Sequence, residues 1–310
     1  MALSIQSNMA SMSIQNQLGR SNNDLSTALE RLGSGFKINS AKDDAAGLQI
    51  ASRLNAQVRG QDAALYNSNN AMSMMQTAEG AFDEMTNIAY RMKELATQAA
   101  NGTNGADEGI ALNAEYLALG DELASIMQNT SFGGTKLLAI DTGGVVASAG
   151  VRATSASLVG KFSNTAAPAV TFQVGSSTAE TLDVNVFTAL DTIHITLGTK
   201  TGSQTGMSNL LTPAGATTAT TGAMDVIDGL IKNIGTARSS LGASMNRLDH
   251  TMNNVTNMKE NTQAAASTLM DADFAAETSN MTKQQLLMNS GISVLSTANS
   301  TTQMIGSLLR

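Results

Sequence analysis

Residues 25–47 of this chain read LSTALERLGSGFKINSAKDDAAG, and they carry two signals that decide the fold. The first half belongs to a run of large apolar residues spaced by three, four and seven positions, which is one stripe of a helix. That stripe consists of Leu18, Leu25, Leu29, Leu32 and Phe36. In the second half, Ser40 and Asp43 form a capping arrangement for a further helix, and Asp44 adds favourable charge at its start.

A similar narrow stripe lies near the other end of the chain, at Met281, Met288, Ile292 and Leu295. Each stripe resembles the seam of a coiled coil rather than the wide face of a helix in a globular core. Two such seams can be buried by pairing with each other or with copies of themselves. We therefore expect the two termini to meet and to form an assembly seam.

Between the ends, apolar periodicity predicts long helices. One runs from about residue 41 to about residue 100, and a second runs back along it from about residue 107 to about residue 129. The turn between them is Asn101-Gly102-Thr103-Asn104-Gly105, whose Asn and Gly residues suit left-handed conformations. Helix resumes near Ala223. The predicted fold class is mainly α, a long-helix coiled-coil bundle formed by both termini with a small β-hairpin and loop region in the middle.

The middle of the chain changes to Thr, Ser, Ala, Gly and Val. Alternation at residues 170–174 and 193–197 predicts two strands, and residues 198–222 predict an exposed loop. The expected domains are a terminal coiled coil (1–40 with 271–310), a helical bundle (41–140 with 222–270) and a hairpin with variable loops (141–221). The many Ser and Thr side chains of 142–221 are compatible with O-linked sugars and equally with a bare polar surface.

Composition excludes several classes of function. The net charge is −7 and the sequence pI is about 4.8, so there is no basic patch for nucleic acid or for an anionic membrane. No apolar run is long enough for membrane insertion, and the first residues lack the pattern of a secretory signal. The chain has no Cys, which removes disulfides and thiolate chemistry. It is therefore expected to be cytosolic or exported by a route that reads no cleaved signal.

Three ordered runs carry a family resemblance: residues 25–47, then LGASMNRL at 241–248, and DADFAAE at 271–277, which continues to the closing SLLR. They resemble bacterial flagellins almost position for position, across about 1–140 and 222–310. The resemblance implies a filament subunit whose terminal segments form an inner coiled coil, with a helical bundle and a β-hairpin around it. Only about 80 residues separate the two helical parts, which implies a short flagellin with little or no outer domain.

The family also implies partners and a location. Flagellins leave the cell through the flagellar type III apparatus without signal cleavage and polymerise at the filament tip, so we expect an extracellular homopolymer. Further expected partners are the flagellar cap, hook-associated junction proteins and an export chaperone at the C-terminal helix. No cofactor is expected.

Arg91, Leu95 and Glu115 align with positions that flagellins use to engage Toll-like receptor 5. The alternative is that Arg91 and Glu115 form a solvated pair between two helices or part of the subunit contact. Gly120 weakens the predicted second helix by about 1 kcal/mol relative to Ala.

Other polar residues have structural explanations. Asp271, Asp273 and Glu277 lie where a C-terminal helix should begin, which favours first-turn acids over a metal site. His194, in a predicted strand, and His250, on a predicted helix, lack the spacing of zinc ligands. A hook–filament junction protein is the nearest rival class, although such proteins more often place Pro after the two Asp of residues 43–44. The sequence contains no set of residues that supports an enzyme. A generic adhesin or signalling coiled coil would leave the three terminal runs unexplained.

Overall fold

The computed structural model describes residues 8–139, 160–163, 169–196 and 216–308. Within these ranges long helices predominate, accompanied by two small hairpins and one 3-10 turn at Lys161–Ser163. The helices are α1 (Met9–Ser34), α2 (Ala45–Ala99), α3 (Ala106–Asn129), α4 (Phe187–Thr196), α5 (Ala216–Met270) and α6 (Phe274–Leu308). The strands are β1 (Ser131–Phe132), β2 (Thr135–Lys136), β3 (Val170–Gln173) and β4 (Thr181–Val184). The predicted fold class is confirmed.

The chain divides into two compact units, which are described separately. The terminal unit comprises residues 1–59 and 259–310, and the bundle unit comprises residues 60–258. The long helices α2 and α5 each contribute residues to both units. The three-part division expected from the sequence stays a prediction.

In the terminal unit, α1 and α6 pack against each other and run in opposite directions. Ser11, near the start of α1, contacts Asn299, near the end of α6, whereas Arg31 at the end of α1 contacts Glu277 at the start of α6. The side chain of Asn8 caps α1 by accepting a hydrogen bond from the Ser11 N–H at 3.1 Å. The expectation that the terminal segments meet is confirmed.

The end of α1 and the start of α6 lie next to each other in this unit. Gly35 adopts a left-handed conformation with φ 77° and ends α1, which a residue with a side chain would do only under strain. Phe36 then forms a β-bridge with Asp271, and the Lys37 N–H donates to the carbonyl of Met270 at 2.7 Å. Phe36 is therefore not on the helical stripe on which the sequence placed it.

The start of α2 differs from the capping arrangement that we expected. Asp44, not Ser40, caps the helix, because its Oδ1 accepts from the Gly47 N–H at 2.9 Å. Asp43 folds back instead, and its Oδ2 accepts from the N–H and the hydroxyl of Ser40 at 2.9 and 3.0 Å. The backbone hydrogen bond from Ser40 is the main reason why the pKa of Asp43 lies below its ordinary value of 3.8. The Ser40–Asp43 prediction is wrong as a cap, and the motif forms the turn before the helix.

The core of the bundle unit is built from the apolar faces of its helices. On α2, large apolar residues that recur at spacings of three and seven are fully buried, and so are those at seven-residue spacing on α5. The α2 members are Met75, Phe82, Met85, Met92 and Leu95, and the α5 members are Ile227, Ile234, Leu241 and Leu248. From α3, Tyr116 and Leu123 join the cluster. Burial raises the pKa of Tyr116 to about 12.

The two hairpins belong to the bundle unit. β1 and β2 are joined by Gly133 and Gly134, whose φ angles of 57° and 80° form the kind of tight turn that glycine favours. β3 pairs antiparallel with β4, Val170 lying opposite Val184. The strand predicted at 170–174 is confirmed.

The second predicted strand is wrong, because residues 187–196 form α4. The Asn185 side chain accepts from the Phe187 N–H at 3.1 Å and starts the helix. Leu190 and Ile193, three residues apart, are both fully buried, so the apolar residues share a helical face. His194 follows them on this helix rather than on a strand.

Helix α5 begins at Ala216, seven residues before the predicted start near Ala223. Residues 216–222 are therefore helical rather than loop. Most of the loop prediction, at 198–215, lies outside the described residues, as does most of the Ser/Thr-rich stretch considered for sugars.

Candidate functional site

The paired helices of the terminal unit meet along an inner seam whose positions alternate by three and four residues, as in a coiled coil. On α1 it consists of Ser11, Ile14, Leu18, Ser21, Leu25, Ala28 and Leu32. On α6 it consists of Glu277, Met281, Gln284, Met288, Gly291, Leu295 and Ala298. The structure therefore brings together six of the nine residues of the expected assembly seam. These six are Leu18, Leu25, Leu32, Met281, Met288 and Leu295.

The other three expected seam residues are not part of the inner seam. Leu29 is 50% exposed, Phe36 41% and Ile292 57%. They belong to a larger outer apolar set on the terminal unit, whose members keep large hydrophobic side chains in solvent. The other members are Met9, Met12, Ile50, Phe274, Leu286, Leu287 and Val294. Exposed apolar residues in this number are typical of a protein–protein interface.

Polar contacts fix the alignment of the two helices at both ends of the seam. The Ser11 hydroxyl donates to Asn299 Oδ1 at 2.8 Å, and the Asn8 amide donates to the Ala298 carbonyl at 3.1 Å. At the other end, Arg31 Nη1 donates to Glu277 Oε1 at 3.1 Å, and Glu277 is only 9% exposed. Sequence reasoning missed these contacts, because only the helix register reveals which polar residues meet.

Two of the three acidic residues near the start of α6, Asp273 and Glu277, are explained by their positions in the helix. Asp273 Oδ1 accepts from the N–H groups of Ala275 and Ala276 at 2.9 and 3.2 Å. Glu277 lies in the first turn, as expected, and also pairs with Arg31. In the part of the chain that the structure describes, no group of three His, Cys, Asp or Glu residues could hold a metal ion.

The second candidate site, here called the Arg91 cluster, lies on the α2–α3 helix pair of the bundle unit. Arg91 donates to Glu115 Oε1 through Nε at 2.9 Å and through Nη2 at 2.7 Å, and Nη1 donates to Glu94 Oε2 at 2.7 Å. Hydrogen bonding to Glu115, more than to Glu94, raises the pKa of Arg91. About half of each side chain of the Arg91–Glu115 pair remains in solvent, at 44% and 46%.

Leu95, the third residue expected to engage a receptor, is fully buried in the core of the bundle unit. The structure therefore places it below the surface, one helical turn from Arg91. Gly120, which raised doubt about the second helix, is also buried, and α3 continues through it without interruption.

Sequence reasoning also missed ion pairs between α2 and α5 of the bundle unit. Lys93 of α2 pairs with Asp228 of α5, and Arg238 of α5 pairs with Asp83 of α2 at 3.0 Å. Their side chains are about a third to three-fifths exposed, so each adds little to stability. The sequence shows the opposite charges, but it does not show which sides of α2 and α5 lie opposite each other.

Within the described ranges, neither histidine belongs to a group of side chains that could hold a metal ion. His194 is buried, and its Nε2 lies 2.9 Å from the Leu138 carbonyl, which makes it a hydrogen-bonded core residue. His250 is exposed on α5.

Family comparison settles what kind of molecule carries these surfaces. The model of the bacterial flagellin N-terminal helical region matches residues 5–142, and that of the bacterial flagellin C-terminal helical region matches residues 224–309. The chain belongs to the bacterial flagellin family. It is similar to polar flagellin C of Vibrio parahaemolyticus and to flagellin A of Vibrio anguillarum, with 34% identity to each over the whole of both chains. Those alignments span 384 and 379 positions, so the relatives carry residues without a counterpart in these 310.

Among solved structures, the chain is similar to a flagellin from Bacillus cereus, with 30% identity and a TM-score of 0.44 over 65% of this chain and 94% of that one. A flagellar hook-associated protein from Vibrio parahaemolyticus shares 16% identity with a TM-score of 0.51, over 74% of this chain and 99% of that one. The second likeness concerns the fold alone.

Membership of the family makes this flagellin a structural subunit of the bacterial flagellar filament and not an enzyme. The filament is extracellular and serves motility. None of the helices described is long and apolar enough to cross a membrane.

Proposed function

We propose that this flagellin is exported as an unfolded monomer and that its terminal unit folds only when it docks at the filament tip. The observation that carries the proposal is the weak interior of the α1–α6 pair beside its exposed outer apolar set. In α1, the buried residues are the small side chains of Ser11, Ser21 and Ala28. Ordering a residue costs about 1 to 2 kcal/mol, and burial of such small groups recovers little of it.

Docking against other subunits supplies the missing burial. The outer apolar set would lose its contact with water when neighbouring copies cover it, so folding of the terminal unit and assembly would proceed together. A monomer with unfolded ends resists spontaneous polymerisation, because ordering each end costs conformational entropy before any new contact between subunits offsets that cost.

Limited proteolysis tests this proposal. We expect protease to cut residues 1–40 and 270–310 rapidly in the secreted monomer and slowly in the filament, since folding protects the backbone. The bundle unit serves as the internal control and should resist equally in both states. Equal resistance of the terminal segments in monomer and filament would refute coupled folding.

The α6 helix is also the proposed site for the export chaperone. In the folded unit Leu286 is 70% exposed and its neighbour Leu287 is 42% exposed, so neither is enclosed by the inner seam and both are available to a chaperone on the unfolded segment. Replacing both with Ser should reduce co-purification of the chaperone with the monomer, whereas chaperone binding at wild-type level would place that site elsewhere. The cap and the hook-associated junction proteins are proposed as partners of the assembled ends through the family resemblance.

A second proposed function is recognition by Toll-like receptor 5 through the Arg91 cluster. Arg91 and Glu115 present opposite charges side by side on neighbouring helices, half exposed and held by two hydrogen bonds. Leu95 would act from beneath by supporting α2 rather than by touching the receptor.

A receptor reporter assay tests this second function. The double variant Arg91→Ala with Glu115→Ala should abolish signalling by the monomer. Arg238→Ala is the matched control, because it removes another exposed ion pair of the bundle unit and should signal normally. An unchanged dose response for the double variant would remove the receptor from the list of partners.

A further inference from the structure

A groove on the bundle unit contains a buried amide that its surroundings leave unsatisfied. The groove has a volume of about 300 Å³ and lies between α2, α5 and the turn that joins β3 to β4. Its lining includes Gln61, Val174, Ser176, Glu180, Val255 and Met258. None of these residues belongs to the inner seam, the outer apolar set or the Arg91 cluster.

Gln61 is the unusual member of this lining. The residue is 1% exposed, and neither its Oε1 nor its Nε2 has a hydrogen-bond partner within the part of the chain that the structure describes. Buried side-chain amides are nearly always hydrogen-bonded, because leaving one unpaired is costly. An amide in this state, at the wall of a groove, points to a partner beyond the residues that the structure describes.

The groove is shaped by the local packing of the hairpin turn on α2. A Cβ atom at Gly60 would lie 2.9 Å from the Cβ of Ser176, so only glycine allows the turn to approach this closely. The close approach brings the turn against α2 one residue before Gln61.

The two free atoms of Gln61 define the chemistry of the partner. The amide nitrogen can only donate and the carbonyl oxygen can only accept, so a carboxylate would leave Oε1 unpaired and an ammonium would leave Nε2 unpaired. A residue in an extended chain offers its own N–H and C=O on the same side, which is the pairing used between antiparallel strands. Peptide backbone therefore satisfies both atoms, and the apolar side chains of Val174, Val255 and Met258 can pack against the flanking residues.

We propose that this groove receives an extended stretch of backbone from a second copy of this chain, with Gln61 hydrogen-bonded to the N–H and C=O of one residue. The occupant follows from the role of the protein, since subunits of a filament are held against copies of themselves. Recognition of main chain by one anchoring amide, with Val174, Val255 and Met258 packed against the flanking residues, resembles the way in which sheet edges bind extended peptides. The proposal goes beyond the role as a filament subunit, because it names a contact that the family membership leaves open.

The full-length variant Gln61→Met tests the proposal, because Met has a similar size and carries neither the donor nor the acceptor. The monomer should unfold at the same temperature as wild type or higher, since an unpaired buried amide is removed. The critical concentration for seeded polymerisation should rise about tenfold, which corresponds to the loss of two hydrogen bonds between copies. Gln76→Met is the matched control, because Gln76 is exposed on the same helix, and it should polymerise as wild type does.

Two results would overturn the proposal. One is a critical concentration of Gln61→Met equal to that of wild type. The other comes from the wild-type filament, for which no variant needs to fold: a high-resolution cryo-EM map should place backbone N–H and C=O of a neighbouring copy at about 3 Å from the Gln61 amide. A map in which Gln61 meets only water or its own chain would contradict the inference.

Discussion

Asp43 and Asp44 have the same side chain and adjacent positions but different tasks. Asp44 accepts from the Gly47 N–H and caps α2, whereas Asp43 holds the preceding turn through Ser40. Because the pKa of Asp43 is lowered in the fold, this turn gains stability that is complete above the ordinary value of 3.8. That contribution disappears as the pH falls through the lower folded value. Acid should therefore loosen the turn between α1 and α2.

The cap itself gives a prediction at the scale of the residue. Asp44→Ala should lower the free energy of unfolding by about 1 kcal/mol, because the Gly47 N–H loses its acceptor at the start of a 55-residue helix. Chemical denaturation of the assembled filament, in which the terminal unit is folded, measures the effect, and Asp44→Asn, which keeps an accepting oxygen, should retain most of the stability. Equal stability of the Ala and Asn variants would show that the cap is unimportant.

At the scale of the element, the sequence predicted the long helices, but it predicted only part of the contacts by which they pack against each other. The stripes on α2 and α5 are wide and repeat many times, so their buried faces were identifiable from spacing alone. The inner seam was harder to predict from spacing. Leu25 and Leu29 lie on adjacent stripes of α1, and only the position of α6 decides which of the two faces the seam. Several seam positions, such as Ser21 and Gly291, are small and do not register in an apolar pattern at all.

The prediction of the short element at residues 193–197 was wrong for a related reason. The five residues at 193–197 alternate like a strand, yet Ile193 also lies three positions from Leu190, and the buried face of α4 uses that second spacing. Gln61 was not identified from the sequence either, because a buried polar residue on a helix becomes visible only when its neighbours are known. No spacing signal distinguishes it from an exposed glutamine such as Gln76.

The ion pair at one end of the inner seam gives a prediction about the α1–α6 pair. Glu277 is nearly buried, so Arg31→Ala leaves its carboxylate without its main partner and should destabilise the terminal unit by about 1 to 3 kcal/mol. Thermal dissociation of filaments measures the loss. The double variant Arg31→Ala with Glu277→Gln removes the unpaired charge and should recover part of it. Additive losses in the double variant would mean that the two residues do not act as a pair.

At the scale of the whole molecule, the chain combines a unit with a substantial core and a unit with a thin one. The bundle unit buries large residues such as Phe82 and Tyr116 completely, and it has the apolar interior of an independent fold. The terminal unit leaves large side chains such as Met9, Leu286 and Ile292 in solvent. The two units should therefore respond differently to a change that affects only contacts between copies.

A charge placed in the outer apolar set tests this difference. Ile292→Asp changes a residue that is 57% exposed, so unfolding of the monomer should shift by no more than about 0.5 kcal/mol. In the filament the same carboxylate would be removed from water beside apolar surface, at a cost of several kcal/mol, and the critical concentration should rise more than about tenfold. Gln285→Asp adds the same charge at an exposed polar position of α6 and controls for net charge. If Ile292→Asp and Gln285→Asp polymerise alike, position 292 does not face a neighbouring subunit, and assembly depends on another part of the surface.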